Sequence, residues 1–296
     1  MLEGLLPHEK VKLLVRDAKE RAEVLKFLKP KLDLKNLILY EIPYVDSWIR
    51  DYGPTFLKRK NEKAYVKWIF NAWGGKYESL MEDTKIFQPG NKLVPETCFD
   101  SGIILEGGSI EVNGAGTCLT TEQCLLNKNR NPQLTRPELE KKLQDYLGVH
   151  QILWMHEGIV GDDTDGHIDD IVRFTNSNTI LCAYEEDTAD ENHELLHENW
   201  ERLWQSRDPQ DKKWNLVKLP MPGVVEDGCG RLPASYANFL IANGVVLLPI
   251  YSHKNDKQAV KILQELFPKH EILPIECSAM VYGLGAIHCV SQQEPA

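Results

Sequence analysis

Apolar positions along the chain fall into two alternating rhythms. A spacing of three to four residues over 8 to 28, Thr135 to Gly148, about 190 to 205 and 256 to 267 predicts four amphipathic helices. The second is the most fully specified. Thr135 and Glu138 form a capping box, Pro137 sits in the first turn, Leu139, Leu143, Tyr146 and Leu147 make one stripe, and Gly148 closes it. In the third, Leu196, Trp200, Leu203 and Trp204 share a face; in the fourth, Ala259, Ile262, Leu263 and Leu266 do. These stripes read as faces turned to a core. A short strand-like run follows each helix: Leu37 to Tyr40, Gln151 to Trp154, Leu216 to Leu219 and Glu271 to Ile275. A weaker helical stretch lies near Tyr77 to Phe87.

The helix and strand order therefore repeats, and most repeats lead into a loop with chemically able residues. Asp51, Glu106, His167, Asp227 and Cys289, taken as one marker per unit, recur at a spacing of about 60 residues, which implies five units. Units of this kind either close around an axis or stack in a line. Closure would gather the loops at one end. No linker rich in Pro, Gly or Ser interrupts the series, so residues 1–296 are expected to form a single α/β domain.

Composition narrows the partners more than the fold. The chain is 42% hydrophobic and 26% charged over 296 residues, which excludes disordered and fibrous classes. With 34 Lys and Arg against 44 Asp and Glu the net charge is −10, and no basic block occurs; nucleic acid is not expected as a partner, and a cationic small molecule would be drawn in. The longest apolar stretch, Phe239 to Tyr251, is broken by Asn243 and Pro249, too short for the roughly 20 residues of a membrane span. Residues 1–16 contain no apolar signal core. Seven cysteines, odd in number and without a CxxC pair, suit a reducing compartment, so a cytoplasmic location is expected. A homo-oligomer is left open.

Three segments concentrate chemistry. In Gly283-Leu284-Gly285-Ala286-Ile287-His288-Cys289, two glycines precede a cysteine and let the backbone approach a ligand closely; the alternatives for the thiol are a nucleophile and an inert buried sulfur. Residues Gly161 to Asp170 put six acidic or imidazole side chains into ten positions. The calcium-loop register fails, since it would place Gly161 and Val172 at ligand positions, and there is no HExxH or CxxC for zinc. No metal is expected. If Ile168 points into a strand's core face, His167 and Asp169 share the opposite one. Trp48-Ile49-Arg50-Asp51-Tyr52-Gly53-Pro54 adds an aromatic wall and a carboxylate, with Arg50 expected in a structural ion pair. Cysteine, histidine and several acids look at first like a protease set. An acyl carbonyl, however, develops negative charge and wants donors, whereas a planar guanidinium, with five N–H donors, matches carboxylates.

The same segments, together with Leu105 to Ile110, Gly116 to Thr121 and Cys124 to Pro132, resemble the agmatine deiminase family of the guanidine-modifying (pentein) superfamily, from about Tyr40 to Pro295. The resemblance implies a five-bladed α/β propeller and a hydrolase that converts agmatine to N-carbamoylputrescine and ammonia through an amidino-cysteine intermediate, in putrescine and polyamine metabolism. It implies Cys289 as nucleophile, His167 as acid and base, Asp51 and Asp169 gripping the guanidinium, and Trp48, Glu106 and Asp163 at the substrate. No cofactor is implied. Leu284 and Ala286 stand where the family is usually richer in glycine. Rival readings are a deiminase of free or peptidyl arginine, a noncatalytic guanidine or polyamine binder, and a metal-dependent hydrolase.

Overall fold

The computed structural model describes residues 1–95 and 97–296, and its strands make five small sheets. The first pairs β1 (Val11–Val15) with β2 (Leu37–Glu41) in parallel, connected by the helix Ala18–Leu28. The other four share one plan, an antiparallel hairpin followed by a crossover to a parallel strand. They are β3 (Thr55–Arg59), β4 (Glu62–Ile69) and β5 (Thr97–Ile104); β6 (Glu111–Val112), β7 (Thr117–Thr121) and β8 (Gln151–Met155); β9 (Val172–Phe174), β10 (Thr179–Tyr184) and β11 (Asn215–Pro220); and β12 (Leu240–Ala242), β13 (Val245–Ile250) and β14 (Glu271–Glu276). In each, the second strand lies in the middle. The crossovers of the last three are the helices Arg136–Leu147, His193–Gln205 and Asp256–Leu266.

A middle strand with neighbours on both edges and cover on both faces has no polar side. β7 is buried throughout, as are all but the last residue of β10 and β13, so these strands read as continuous apolar or small-residue runs rather than alternating ones. That is why the hairpins escape a search for alternation. The helices keep one wet face, and their expected stripes hold in part: Leu139 and Leu143, Leu196 and Leu203, and Ala259 and Leu263 are buried, Tyr146, Leu147, Trp200, Ile262 and Leu266 are half-buried, and Trp204 is exposed. Glu138 accepts the Thr135 backbone N–H at 2.8 Å, and Gly148 ends that helix at φ +67°.

Two expected helices differ. Residues 8 to 28 split into β1 and the helix Ala18–Leu28, because Asp17 accepts the Glu20 N–H at 2.8 Å and caps the helix there, while Val11, Leu13 and Val15 alternate as a strand. The stretch near Tyr77 to Phe87 forms 3₁₀ turns over Glu78–Lys85.

Neighbouring sheets are tied through their first strands. Glu111, in β6, accepts the Phe174 N–H of β9 at 3.0 Å. Arg173, beside Phe174, donates Nη1 to the carbonyls of Ala237 and Phe239 at 2.8 and 2.7 Å, just before β12. The two chain ends meet other sheets: Leu5 belongs to the apolar cluster of Val246 and Leu247, and Gln292 donates to the Pro54 carbonyl at 2.8 Å ahead of β3. Among the described residues no helix is long and apolar enough to cross a membrane.

Candidate active site

Loops from four distant stretches converge on a cavity of about 280 Å³. Its wall includes Trp48, Asp51, Asp163, His167 and Cys289 of the expected site residues, joined by Asp46 and Asp170, and no lysine or arginine.

Asp51 sits in a single helical turn, Ile49–Tyr52, directly after Trp48. Its two oxygens are already held. Oδ1 accepts the Gly108 backbone N–H at 3.0 Å and Oδ2 accepts the Trp73 indole N–H at 2.9 Å. Gly108 has no room for a side chain: a Cβ there would lie 2.6 Å from His167 Nδ1 and 2.8 Å from Asp51 Oδ1. Arg50 does not form the expected ion pair. It is buried, its Nε donates to the His288 carbonyl at 3.3 Å and its backbone N–H to the Cys289 carbonyl at 3.0 Å, so it binds the His288–Cys289 segment through that segment's backbone carbonyls. Burial pushes its guanidinium down to about 10.

His167 and Asp169 reach the site through a turn rather than a strand. Asp162 Oδ1 accepts the Thr164 N–H at 2.8 Å, and its Oδ2 accepts the N–H groups of Gly166 and His167 at 3.0 and 2.9 Å, which folds the acidic run back before the 3₁₀ turn Ile168–Asp170. Alternation about Ile168 was therefore the wrong reason for bringing the two side chains together. His167 Nδ1 lies 3.6 Å from Asp51 Oδ1, and its Nε2 is buried without a hydrogen-bond partner. Burial alone would lower the imidazole's pKa, but the Asp51 charge, the Cys124 sulfur and Asp169 outweigh it and hold it well above the ordinary histidine value.

Asp169 is fully buried. Its Oδ2 accepts from His288 Nδ1 at 2.6 Å and lies 3.9 Å from Cys289 Sγ; its Oδ1 has no partner. Burial pushes its carboxyl up to about 7. His288 is driven the other way, well below the ordinary value, by burial and by the charges of Arg173, Arg50 and His167, so a neutral imidazole gives its one N–H to Asp169.

Cys289 follows the turn Val281–Gly283 and is 7% exposed. The indole of Trp48 lies over the two glycines, where Cβ atoms at Gly283 and Gly285 would come within 3.0 and 2.5 Å of the ring. The left-handed position between them, φ +67°, is taken by Leu284, a conformation that costs a side-chain-bearing residue roughly 1–2 kcal/mol. Burial, then Asp169, Asp170 and Asp51, raise the thiol's pKa well above the ordinary value.

The remaining expected residues divide. Asp163 faces the cavity and accepts the Tyr77 hydroxyl. Glu106 is fully buried, with one oxygen 2.7 Å from Arg130 Nε and the other unpartnered. Glu106, Cys124 and His167 bring an oxygen, a sulfur and a nitrogen within 4.8 Å of one another, the one grouping among the described residues able to ligate a metal, and Arg130 already supplies a cation beside it. Asp227 stays away: it is exposed in a turn, accepting the Cys229 N–H at 2.8 Å. Trp73, Asp170, Asn238 and His288 join the site without having been singled out. Asp170 and His288 lay inside motifs already read, whereas Trp73 and Asn238 have no local pattern that marks them.

A buried thiol, an imidazole and several carboxylates share this one cavity, a cysteine site whose lining suits a cation. The chain belongs to the Porphyromonas-type peptidyl-arginine deiminase family, whose profile matches residues 1–295, and with it to the guanidine-modifying superfamily. It is 39% identical over 290 residues to the agmatine deiminase of Pseudomonas syringae pv. tomato, a match covering 90% of this chain and 79% of that one. Among solved structures, the Enterococcus faecalis agmatine deiminase superposes with a TM-score of 0.88 at 32% identity, covering 98% of this chain and 84% of its own. A cysteine-to-serine variant of the C. jejuni agmatine deiminase with substrate bound gives 0.87 at 31%, with the same coverage.

Proposed function

We propose that this chain is an agmatine deiminase, hydrolysing agmatine to N-carbamoylputrescine and ammonia with Cys289 as nucleophile, in a single domain whose five sheets close as a propeller. The observation that carries the reading is Asp169, with Oδ2 against His288 and 3.9 Å from the Cys289 sulfur, and Oδ1 buried and unpartnered. An unpartnered buried carboxylate oxygen is costly until a donor arrives. A guanidinium offers donors toward Asp169 and Asp51 together.

The charge balance then drives the chemistry. In the empty site burial first, and then three carboxylates, favour the protonated thiol. A guanidinium about 4 Å away, at an effective dielectric near 20, favours the thiolate by roughly 4 kcal/mol, or about three pKa units. The thiol loses its proton to solvent as the guanidinium binds, and the thiolate adds to the guanidine carbon to give a tetrahedral adduct. His167 protonates the departing nitrogen, which leaves as ammonia, and the amidino-thioether remains. His167, now neutral, takes a proton from water as the water attacks the same carbon, and collapse expels the thiolate and N-carbamoylputrescine, with the adduct's hydroxyl proton passing to solvent. Trp48 walls the cavity over the glycines, and Glu106 stands behind His167, next to Cys124.

The substrate's tail is read at the cavity wall. Asp46 and Asp163 line it with no lysine or arginine among the lining residues, so a free ammonium is matched and an α-carboxylate is repelled. This favours agmatine over arginine, and the volume of about 280 Å³, near the bottom of the roughly 300–1,000 Å³ range of small-molecule sites, favours a small substrate over a peptide. The product belongs to polyamine metabolism, and the seven free cysteines support a reducing compartment such as the cytoplasm. The test is an ammonia assay with agmatine, free arginine and an arginyl peptide, beside Cys289→Ala. Agmatine should be turned over far faster than the others and the variant should be inactive; preferred turnover of the peptide overturns the substrate, and an active alanine variant overturns the covalent route.

A further inference from the structure

Asn238 lies in the loop leading into β12, fully buried, with every polar atom of its side chain engaged. Its Oδ1 accepts the His288 backbone N–H at 2.9 Å, and its Nδ2 points to Asp170 Oδ1 at 2.9 Å and to Cys289 Sγ at 3.1 Å. The orientation of this amide is settled by its partners. A backbone N–H can only donate, so the oxygen must face His288; the two amide hydrogens then meet a carboxylate oxygen and the sulfur, both acceptors. Turning the amide over would set N–H against N–H and oxygen against carboxylate.

The sulfur's other neighbours make this contact unusual. Asp169, Asp170 and Asp51 all disfavour a negative sulfur, and Asn238 is the one side chain among the described residues that donates a hydrogen bond to it. A hydrogen bond to an ionised acceptor is roughly twice as strong as one between neutral groups, so the Asn238 bond strengthens when the thiol loses its proton. The same is needed twice in a cycle: when the thiolate forms, and when the tetrahedral species expels it.

We infer that Asn238 is a catalytic residue, the hydrogen-bond donor that stabilises the Cys289 thiolate and, through its grip on the His288 N–H and on Asp170, sets the sulfur beside the carboxylates that hold the substrate. This rests on Cys289 being the nucleophile. No atom is transferred through Asn238; its N–H stays bonded to nitrogen throughout.

Two variants divide the role. Asn238→Asp keeps the oxygen that accepts the His288 N–H but removes the donor to sulfur; Asn238→Ala removes both without adding charge. Each is read in the full chain by the pH dependence of iodoacetamide alkylation, followed by mass spectrometry on the peptide bearing Cys289, and by kcat and KM for agmatine. Both should move the alkylation midpoint upward by about one unit or more, a tenfold loss of thiolate at a given pH. They should lower kcat at neutral pH at least about tenfold, regained in part at higher pH, with KM changed less than about threefold. The inference is overturned if either folded variant keeps the wild-type midpoint and kcat, or if only Asn238→Ala is impaired, which would make the His288 bond the whole of the role. Should one substitution unfold the chain, the other decides on the same readouts. Cys289→Ala distinguishes the two levels: turnover surviving in it overturns the nucleophile itself, whereas loss of turnover in it, with unaltered Asn238 variants, overturns the donor alone.

Discussion

Asp51 and Asp169 stand in opposite states of readiness. Asp51 is anchored by Gly108 and Trp73 before anything binds, one N–H donor on each oxygen. Asp169 is deeper, held on one oxygen by a neutral His288, and left with its other oxygen unpartnered and its carboxyl pushed up to about 7 by burial. Under the proposed function the first carboxylate is a fixed template, the second is completed only by the ligand, and the arriving cation that ionises Asp169 also favours the Cys289 thiolate.

The largest test of that contrast is to neutralise each acid. Asp169→Asn should lower kcat/KM for agmatine by about 10³-fold or more, since it removes charge-assisted bonds worth roughly 1.5–3 kcal/mol each; Asp51→Asn should cost about 10²-fold. Steady-state kinetics decide it, and equal losses would erase the distinction. Next in size is Gly108→Ala. Its methyl group would press on both His167 and Asp51, so kcat/KM should fall about 10- to 100-fold while circular dichroism stays native.

The pH dependence sharpens the same comparison. Asp169's folded pKa is raised, so its protonated form favours the empty folded chain at low pH, and that contribution is lost as pH rises through about 7. Agmatine requires the ionised form. Binding to the inactive Cys289→Ala chain should therefore weaken as pH falls below about 7, and agmatine should raise the melting temperature more at pH 8 than at pH 6. Calorimetry and thermal melts would show it, and Asp169→Asn should flatten the dependence; a flat wild-type curve would count against an unready Asp169. The smallest effect belongs to Asp227→Ala. The spacing that marks the other units marks this residue too, yet it is exposed in a turn away from the cavity, so kcat/KM should change less than about twofold.

How far the molecule is legible from its residues depends on where the information sits. Amphipathic helices such as Arg136–Leu147 announce themselves because one face is wet, and their stripe and caps are local. The hairpin strands β7, β10 and β13 stay hidden because burial on both faces removes the alternation that would mark them. Within the site, Gly161 to Asp170 stands out by charge density, but the turn that aims His167 and Asp169 depends on Asp162 accepting three backbone N–H groups, which a strand reading overlooks. Trp73 and Asn238 carry no local signal at all. Each matters only for the atom it touches, Asp51 Oδ2 in one case and Cys289 Sγ in the other.

By itself the amino-acid sequence determined the repeating helix and strand order, the family motifs, and a set of thiol, imidazole and carboxylates suited to a cation, since residue type and short-range spacing are written in the chain. Only the tertiary structure decided that Asp51 is saturated and Asp169 is not, that Glu106 stands behind His167, and that an amide from the loop before β12 reaches the sulfur. Those are matters of distance and desolvation between segments as much as 238 residues apart, such as Arg50 and His288, and no local pattern carries them.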